Sequence, residues 1–429
     1  MTVIDLIEHG PESGELQLAQ EDIDWLLEEK EIGEKEQKLK LISSNGRHKL
    51  KAKGHVGSIP LPSGKFIINI KPRFGNAWEN LFKLFEYAEG IEPTMGERDV
   101  HAEAGDTLWD IIAKIFYRYA MQLINKGLYR TYVTKTEEIT AIRGRLLLAQ
   151  NIRSPQKFRT KHWCEFDELS YDVPENQYVL YCTTLLLRYV NSATIKQELI
   201  RIRNIILSQD VTLRHRFTSS DAKLITIHRM NKEYEKIFVY CKLILNSLAY
   251  KKFSDMGGVA IPPFTLSMWE LFEKSANKFL VEHYRPQEIH VSYGKKARTK
   301  PILEHDQEYE PMYRMKRGPK PSYPDNIISS SDGKLILDTK WKDVPKSNDW
   351  YQATTYSLAL KCDTIFLLPK VDEKYSDGWL IPKEYCEDCN DLTIHAKTID
   401  FEEAAEQGDF IENLRSQIKD VLKDMKFKK

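Results

Sequence analysis

The chain has no G-x-x-x-x-G-K-[ST] run and therefore no P-loop; if it works with a nucleotide, another subunit binds it. H-E-x-x-H and G-x-S-x-G are absent too, so neither the zincin helix nor the nucleophile elbow is present. No apolar run approaches the ~20 residues needed to span a bilayer. The opening MTVIDLIEHGPESGE is acidic and lacks the basic flank and apolar stretch of a secretion signal. Six scattered cysteines in 429 residues do not make a disulfide framework. Together these absences indicate a cytoplasmic protein without membrane contact. Excess charge is also missing: 63 Lys and Arg balance 63 Asp and Glu. The chain is thus no polycation that holds nucleic acid by bulk charge, and any such contact needs local patches. The remaining composition, 41% hydrophobic and 29% charged, is that of a globular protein long enough for two or three domains.

The pattern along the chain is α+β and multidomain. Residues 15–37 are acidic, with Ile23, Leu26 and Leu27 at helical spacing. Lys38 and Lys40 then alternate with Leu39 and Leu41, and Asn45-Gly46 marks a hairpin. KFIINIKPRF reads as a strand closed by Pro72. The region 1–95 is therefore expected to be β-rich, with helices at 15–30 and 77–89. A mainly helical middle, 96–255, follows. Its first helix carries apolar residues at 108, 111, 112, 115, 116 and 119 and ends at Gly127. Residues 130–175 read as loop-rich, and long helical patterns return at 176–207 and 228–250. Gly257-Gly258 and Pro262-Pro263 mark a boundary. Residues 256–429 then alternate: helix 266–284, strands near 288–293, 311–314, 324–329 and 334–340, helix 347–360, strand 364–369 and helix 408–426. That order predicts an α/β domain around a central mixed sheet.

The stretch SYPDNIISSSDGKLILDTKWK, residues 322–342, carries chemistry. Leu335, Ile336 and Leu337 lead into a protein interior, yet Asp338 and Lys340 follow at once. Side chains alternate across a strand, so Ile336, Asp338 and Lys340 share one face. Asp332-Gly333 is a turn signal, and a hairpin through it brings Asp325 beside Asp338. Two adjacent carboxylates repel unless a cation lies between them, and an oxygen site open to water suits Mg²⁺. A lysine in reach can activate a metal-bound water or stabilise phosphorane charge. A strand-end Asp–Lys ion pair is the plainer reading of D-x-K alone. Gln352 and Tyr356 lie four apart on the next helix, and Glu270 and Glu273 three apart on the helix opening the domain. One of these glutamates is expected to face the acids.

This order resembles the PD-(D/E)XK nucleases: Pro324-Asp325, then Asp338-Thr339-Lys340, with a helix glutamate and a Q-x-x-x-Y helix as in the RecB-like branch. GHVGSIPLPSGKFIINIKPRF, GLYRTYVTKTEEITAIRGRLLL, FDELSYDVPENQ and LSMWELFEKSANKFL further resemble McrC-like subunits of McrBC-type restriction systems, over roughly residues 50–370. The resemblance implies a PD-(D/E)XK nuclease domain in 256–429 and a Mg²⁺-dependent endonuclease. Asp325 and Asp338 would be the metal ligands and Lys340 the helper of the attacking water; Glu273, Gln352 and Tyr356 would complete the catalytic set. It also implies double-stranded, methylated DNA as substrate and an McrB-like AAA+ GTPase hexamer as partner. Region 1–95 would dock on that partner or touch DNA. A sequence-specific LlaJI-type system and a non-catalytic adaptor of an AAA+ ring stay open as alternatives.

Lys295, Lys296, Arg298, Lys300, Arg314, Lys316, Arg317 and Lys320 lie in the same region as the acids and are expected to contact DNA phosphates, against the alternative of solvated loop charge. Arg143-Gly144-Arg145 is either a phosphate or partner contact or a set of ion pairs to EFDE at 165–168. Cys386 and Cys389, with Cys362 and His395 nearby, supply at most half of a zinc site without a second C-x-x-C.

Overall fold

A computed structural model describes residues 2–31, 37–44, 47–74, 77–91, 107–153, 160–248, 262–294, 323–370, 378–382, 391–406 and 408–423. The chain divides into two compact units. One joins Met1–Asp99 to Thr265–Lys429, and the other is Val100–Phe264.

The N-terminal segment holds β1 (Thr2–Ile7), α1 (Gln20–Glu31), β2 (Leu39–Ser44), β3 (Arg47–Ala52), β4 (His55–Pro60), β5 (Phe66–Lys71) and α2 (Ala77–Ala88). The expected hairpin forms, with Leu39 opposite Ala52 and Ser44 opposite Arg47. Its alternation buries Leu39, Leu50 and Ala52 and leaves Lys40 exposed. The Asn45-Gly46 turn lies outside the described residues. β5 ends before Pro72, which has no N–H to give a ladder.

The middle unit contains α3 (Leu108–Lys126), β6 (Thr131–Ile139), β7 (Arg145–Leu146), α4 (Leu148–Arg153), β8 (His162–Ser170), α5 (Pro174–Tyr189), α6 (Ala193–Leu207), α7 (Ser219–Leu224) and α8 (Tyr234–Leu248). α3 opens with a capping box between Thr107 and Asp110 and stops at Gly127, whose φ is 101°. Residues 130–175 are not loop-rich: β6, β8 and β7 form an antiparallel sheet. β6 is charged and largely exposed, so it carries no apolar alternation to betray it. Cross-strand pairs support it instead, Thr134 to Asp167 at 2.7 Å and Lys135 to Glu168 at 2.6 Å. The 176–207 pattern is two helices, interrupted at Val190–Ser192, where Ser192 caps α6.

The C-terminal segment runs β9 (Phe264–Ser267), α9 (Met268–Tyr284), β10 (His290–Tyr293), β11 (Asn326–Ser330), β12 (Gly333–Thr339), α10 (Ser347–Leu360), β13 (Asp363–Pro369), β14 (Gly378–Ile381), β15 (Leu392–Ile399), α11 (Phe401–Glu406) and α12 (Phe410–Lys423). Six strands form the expected mixed sheet, ordered β10-β11-β12-β13-β15-β14. β12, β13 and β15 are parallel and the outer pairings antiparallel. α10 covers one face through Ala353, which packs on Phe366, Leu368, Ile394 and Ala396. The strand expected at 311–314 lies outside the described residues.

The first ninety-odd residues, read above as a region of their own, share this core. Strands β1, β5, β4 and β9 make a second sheet. Phe74 stacks on Phe401 at 5.5 Å and on Phe410 at 5.7 Å. Phe272 and Trp341 meet the same Phe401 edge-on. Each such buried aromatic contributes roughly 2–3 kcal/mol, and their positions are far apart in sequence, which is why a linear reading separates what the fold joins.

Candidate active site

β11 and β12 pair antiparallel with Asn326 opposite Leu337. Continuing that register by one residue sets Asp325 opposite Asp338. Two contacts from β12 fix Asp325: the Thr339 N–H and its hydroxyl each donate to Asp325 Oδ2 at 2.8 Å. Buried Asn326 anchors the hairpin to α9, accepting from Asn277 at 2.8 Å. Lys340 leaves the strand with its N–H bonded to the Leu367 carbonyl at 2.9 Å. Its ammonium makes an ion pair with Asp338.

The electrostatics are those of crowded acids. Burial raises the Asp338 carboxyl to about 7, helped by the Asp325 charge and opposed by Lys340. Burial raises Asp325 as well; Glu273 adds to the rise, while Lys340 and the Thr339 bonds oppose it. For Lys340, burial works against the charged form, but Asp338 and Asp325 outweigh it and hold the pKa above its ordinary value. The ion pair alone would pull Asp338 down. Its side chain is so thoroughly buried that desolvation wins, and the proton stays on Lys340 at neutral pH.

Glu273 projects from α9 into the same cleft, hydrogen-bonded to the Tyr293 hydroxyl of β10. Glu270, one turn earlier, is exposed and does not line the cleft. On α10, Gln352 donates to the Tyr356 hydroxyl at 2.6 Å and accepts from Lys340 at 3.4 Å. Tyr356 donates onward to the Tyr323 carbonyl at 2.9 Å. Gln352 therefore ties the Lys340 ammonium to a helix held against the hairpin.

The cleft has a volume of about 680 Å³. Asp325, Glu273, Lys340, Gln352 and Tyr356 line it, whereas Asp338 lies beneath Lys340, 1% exposed. Among the described residues, no group of three or more His, Cys, Asp or Glu side chains is arranged to hold a metal. The pair Asp325 and Asp338 still fits Mg²⁺, which takes one or two carboxylates and completes its shell with water or phosphate oxygens. Asp338 Oδ2 is buried against the Lys340 ammonium, so a metal held there would share that oxygen with the lysine.

Sequence reasoning missed residues that reach the cleft from the N-terminal segment. His9 and Lys53 line it, as does Trp269 at the start of α9. Nearby, Glu8 is buried and accepts from the Trp341 indole at 3.1 Å. Arg73 approaches Glu8 at 3.7 Å, pairs with Asp343 at 2.5 Å, and lies over the Trp341 ring at 5.3 Å. No periodicity marks these contacts; only Trp341, next to Lys340, was close to a motif.

Residues 50–368 match the model of the McrBC 5-methylcytosine restriction system component family. That is well over half the chain. The chain belongs to this McrBC family. The type IV methyl-directed restriction enzyme EcoKMcrBC of Escherichia coli (strain K12) is 24% identical over 169 residues, 39% of this chain and 48% of that protein. The McrC-like chain thus spans about half the length of the curated relative it matches. Its fold is similar to a chain of the half-complex from a tetradecameric assembly of Thermococcus gammatolerans McrB AAA+ hexamers with bound McrC. The TM-score is 0.65 at 17% identity, covering 98% of this chain and 100% of that one.

Lys295, Lys296, Arg298, Lys300, Arg314, Lys316, Arg317 and Lys320 of this McrBC-family chain lie outside the described residues, as do Cys386 and Cys389. Cys362 is buried against Ile336 and Tyr356, and His395 bonds Thr393. The Arg143-Gly144-Arg145 run serves its own sheet: Arg145 reaches Glu165 at 3.5 Å, and Arg143 lies over Phe166 at 4.8 Å. Gly144, at φ 67°, passes so close to β8 that a Cβ would come within 2.3 Å of the Glu165 carbonyl. No described helix is long and apolar enough to cross a membrane.

Proposed function

We propose that this chain is the endonuclease subunit of a modification-dependent restriction complex, hydrolysing phosphodiester bonds of methylated double-stranded DNA with Mg²⁺. Its six-stranded domain is a PD-(D/E)XK nuclease. The observation that carries the reading is the juxtaposition of Asp325 and Asp338 across β11–β12, with Lys340 two residues on at the wall of a cleft. By analogy with the Thermococcus assembly, the partner is an McrB-like AAA+ GTPase hexamer, whose GTPase this subunit stimulates. The lack of a P-loop supports that division of labour.

Asp325 and Asp338 would hold Mg²⁺, which supplies charge neutralisation and a bound water of lowered pKa. Lys340 is a fixed cation. Its raised pKa makes it a poor proton acceptor at neutral pH, so it stabilises negative charge developing on the phosphorane. Gln352 orients it through the 3.4 Å contact and is itself fixed by Tyr356. Thr339 keeps Asp325 aimed at the cleft. Glu273 is placed to accept a hydrogen bond from water beside Asp325. Lys340→Gln, which keeps hydrogen bonding and removes the charge, tests this role. Plasmid cleavage in the assembled complex should fall at least ~100-fold with DNA affinity nearly unchanged; near wild-type cutting would remove Lys340 from the mechanism.

A further inference from the structure

Two of the four lysines that line the cleft have no ion-pair partner among the described residues. Lys340 is taken by Asp338, and Lys342 by both oxygens of Asp349 at 2.9 and 2.7 Å. Lys53 and Lys346 also line the cleft, and among the described residues neither forms an ion pair. Lys346 is exposed in the turn before α10. Lys53 comes from the N-terminal segment, between β3 and β4, and is held there firmly. Its N–H donates to the Lys38 carbonyl at 2.9 Å. The next residue, Gly54, accepts from the Met268 N–H at 3.1 Å, at the first residue of the helix that carries Glu273. Gly54 lies so close to Trp269 that a Cβ would meet the indole at 2.8 Å. His55 packs edge-on against the same ring at 5.3 Å. The Glu8–Trp341 bond and Arg73 fasten the same segment beside Lys340.

A charge held on a fixed backbone in the lining of an acidic cleft, with no carboxylate paired to it among the described residues, is suited to an anion that arrives with the substrate. We infer that Lys53 is a substrate-binding residue whose ammonium takes a DNA phosphate flanking the scissile one. The N-terminal sheet is then a wall of the DNA cleft. His9, beside it, adds no charge: burial, with Arg73 opposite, lowers its pKa to about 4, so it is neutral at pH 7. The inference rests on the endonuclease reading above and deepens it.

The test uses the full chain with its AAA+ partner. Binding of a labelled methylated duplex is followed by anisotropy across a salt series in an Asp338→Asn background, and cleavage kinetics are measured in the active background. Lys53→Ala should weaken binding several-fold and lower the slope of log affinity against log salt by about one. It should raise KM correspondingly and leave kcat within about twofold. Lys53→Arg should restore most of both. Lys51→Ala, on the same hairpin but outside the cleft, should do neither, which separates a specific contact from general hairpin charge. Unchanged affinity and slope in Lys53→Ala would overturn the inference. So would an equal loss in Lys51→Ala, or a fall in kcat at constant affinity. A wild-type complex that cuts DNA while Lys53→Ala behaves normally leaves the endonuclease reading standing. A wild-type complex that neither binds nor cuts the duplex overturns both.

Discussion

Asp338→Asn should make the metal-free protein more stable and at the same time abolish the nuclease activity proposed above. Asp338 is 1% exposed, and its carboxyl is raised from 3.8 to about 7. A folded-state pKa above the unfolded value means that the native state binds the proton more tightly. Stability therefore falls as pH rises from about 4 to about 7, and the whole cost is present at pH 8. Three tenfold steps in proton affinity at about 1.4 kcal/mol each set a ceiling of about 4 kcal/mol. The raised value is already net of the Lys340 attraction, so the ion pair needs no second deduction; with the amide an imperfect copy of the protonated carboxyl, a net stabilisation of about 1–3 kcal/mol is expected. In a unit of this size that is a rise of roughly 2–12 °C in Tm at pH 8 in EDTA. The difference should shrink towards pH 4. Saturating Mg²⁺ should cancel or reverse the difference: at a hundred times its Kd it stabilises wild type by about 2.7 kcal/mol, and it should leave the variant unmoved. Thermal unfolding at pH 4, 6 and 8, with EDTA and with Mg²⁺, reads all of this. A variant less stable than wild type at pH 8 in EDTA would refute the reasoning. Asp338 would then be a structural partner of Lys340, as an isolated D-x-K allows.

Glu8→Gln tests the same physics away from the acids. Burial raises Glu8 to about 7 against the pull of Arg73, so the variant should gain about 1–2 kcal/mol at pH 8 and nothing at pH 4; a loss at pH 8 would mean that the Arg73 ion pair outweighs burial. Gly144→Ala should destabilise the middle unit by at least about 2 kcal/mol, from a backbone clash at positive φ, and denaturant unfolding that leaves its midpoint unchanged would contradict the close approach. Removing residues 1–99 should unfold the six-stranded unit as well, because Phe74 and the Glu8–Trp341 contact leave with them. A soluble, cooperatively melting 100–429 chain would show that the two segments fold independently. That deletion therefore cannot locate a partner-docking surface by itself, and point variants are needed for it.

The sequence was legible where one element carries its own signal. Period-2 alternation and Asp332-Gly333 lead to the β11–β12 hairpin, whose register sets Asp325 opposite Asp338. Helical spacing puts Gln352 and Tyr356 on one face of α10, where they do bond each other. Two kinds of feature were not legible. Strand β6 is stabilised by polar cross-strand pairs, and its charged, exposed face imitates a loop. The joining of residues 1–99 to 265–429 depends on which buried faces meet, and an apolar pattern marks a face without naming its partner. That is why the meeting of Lys53 and Trp269 beside the acids could not be read from the sequence, although both line the cleft. The order Pro324-Asp325, Asp338, Lys340 pointed to chemistry because an apolar run leads into it and its spacing matches a hairpin; D-x-K alone would have passed for a strand-end ion pair.

The most direct measurement of the central claim is cleavage of methylated and unmethylated plasmid by the chain co-purified with its AAA+ partner, with Mg²⁺ and GTP, for wild type and Asp338→Asn in parallel. Cutting of the methylated plasmid alone, lost in the variant while partner GTPase stimulation persists, is the expected result. Equal cutting of both plasmids would keep the metal site and shift the target to a sequence-specific one. Wild-type complex that stimulates the GTPase yet leaves both plasmids intact would contradict the account and make the chain an adaptor.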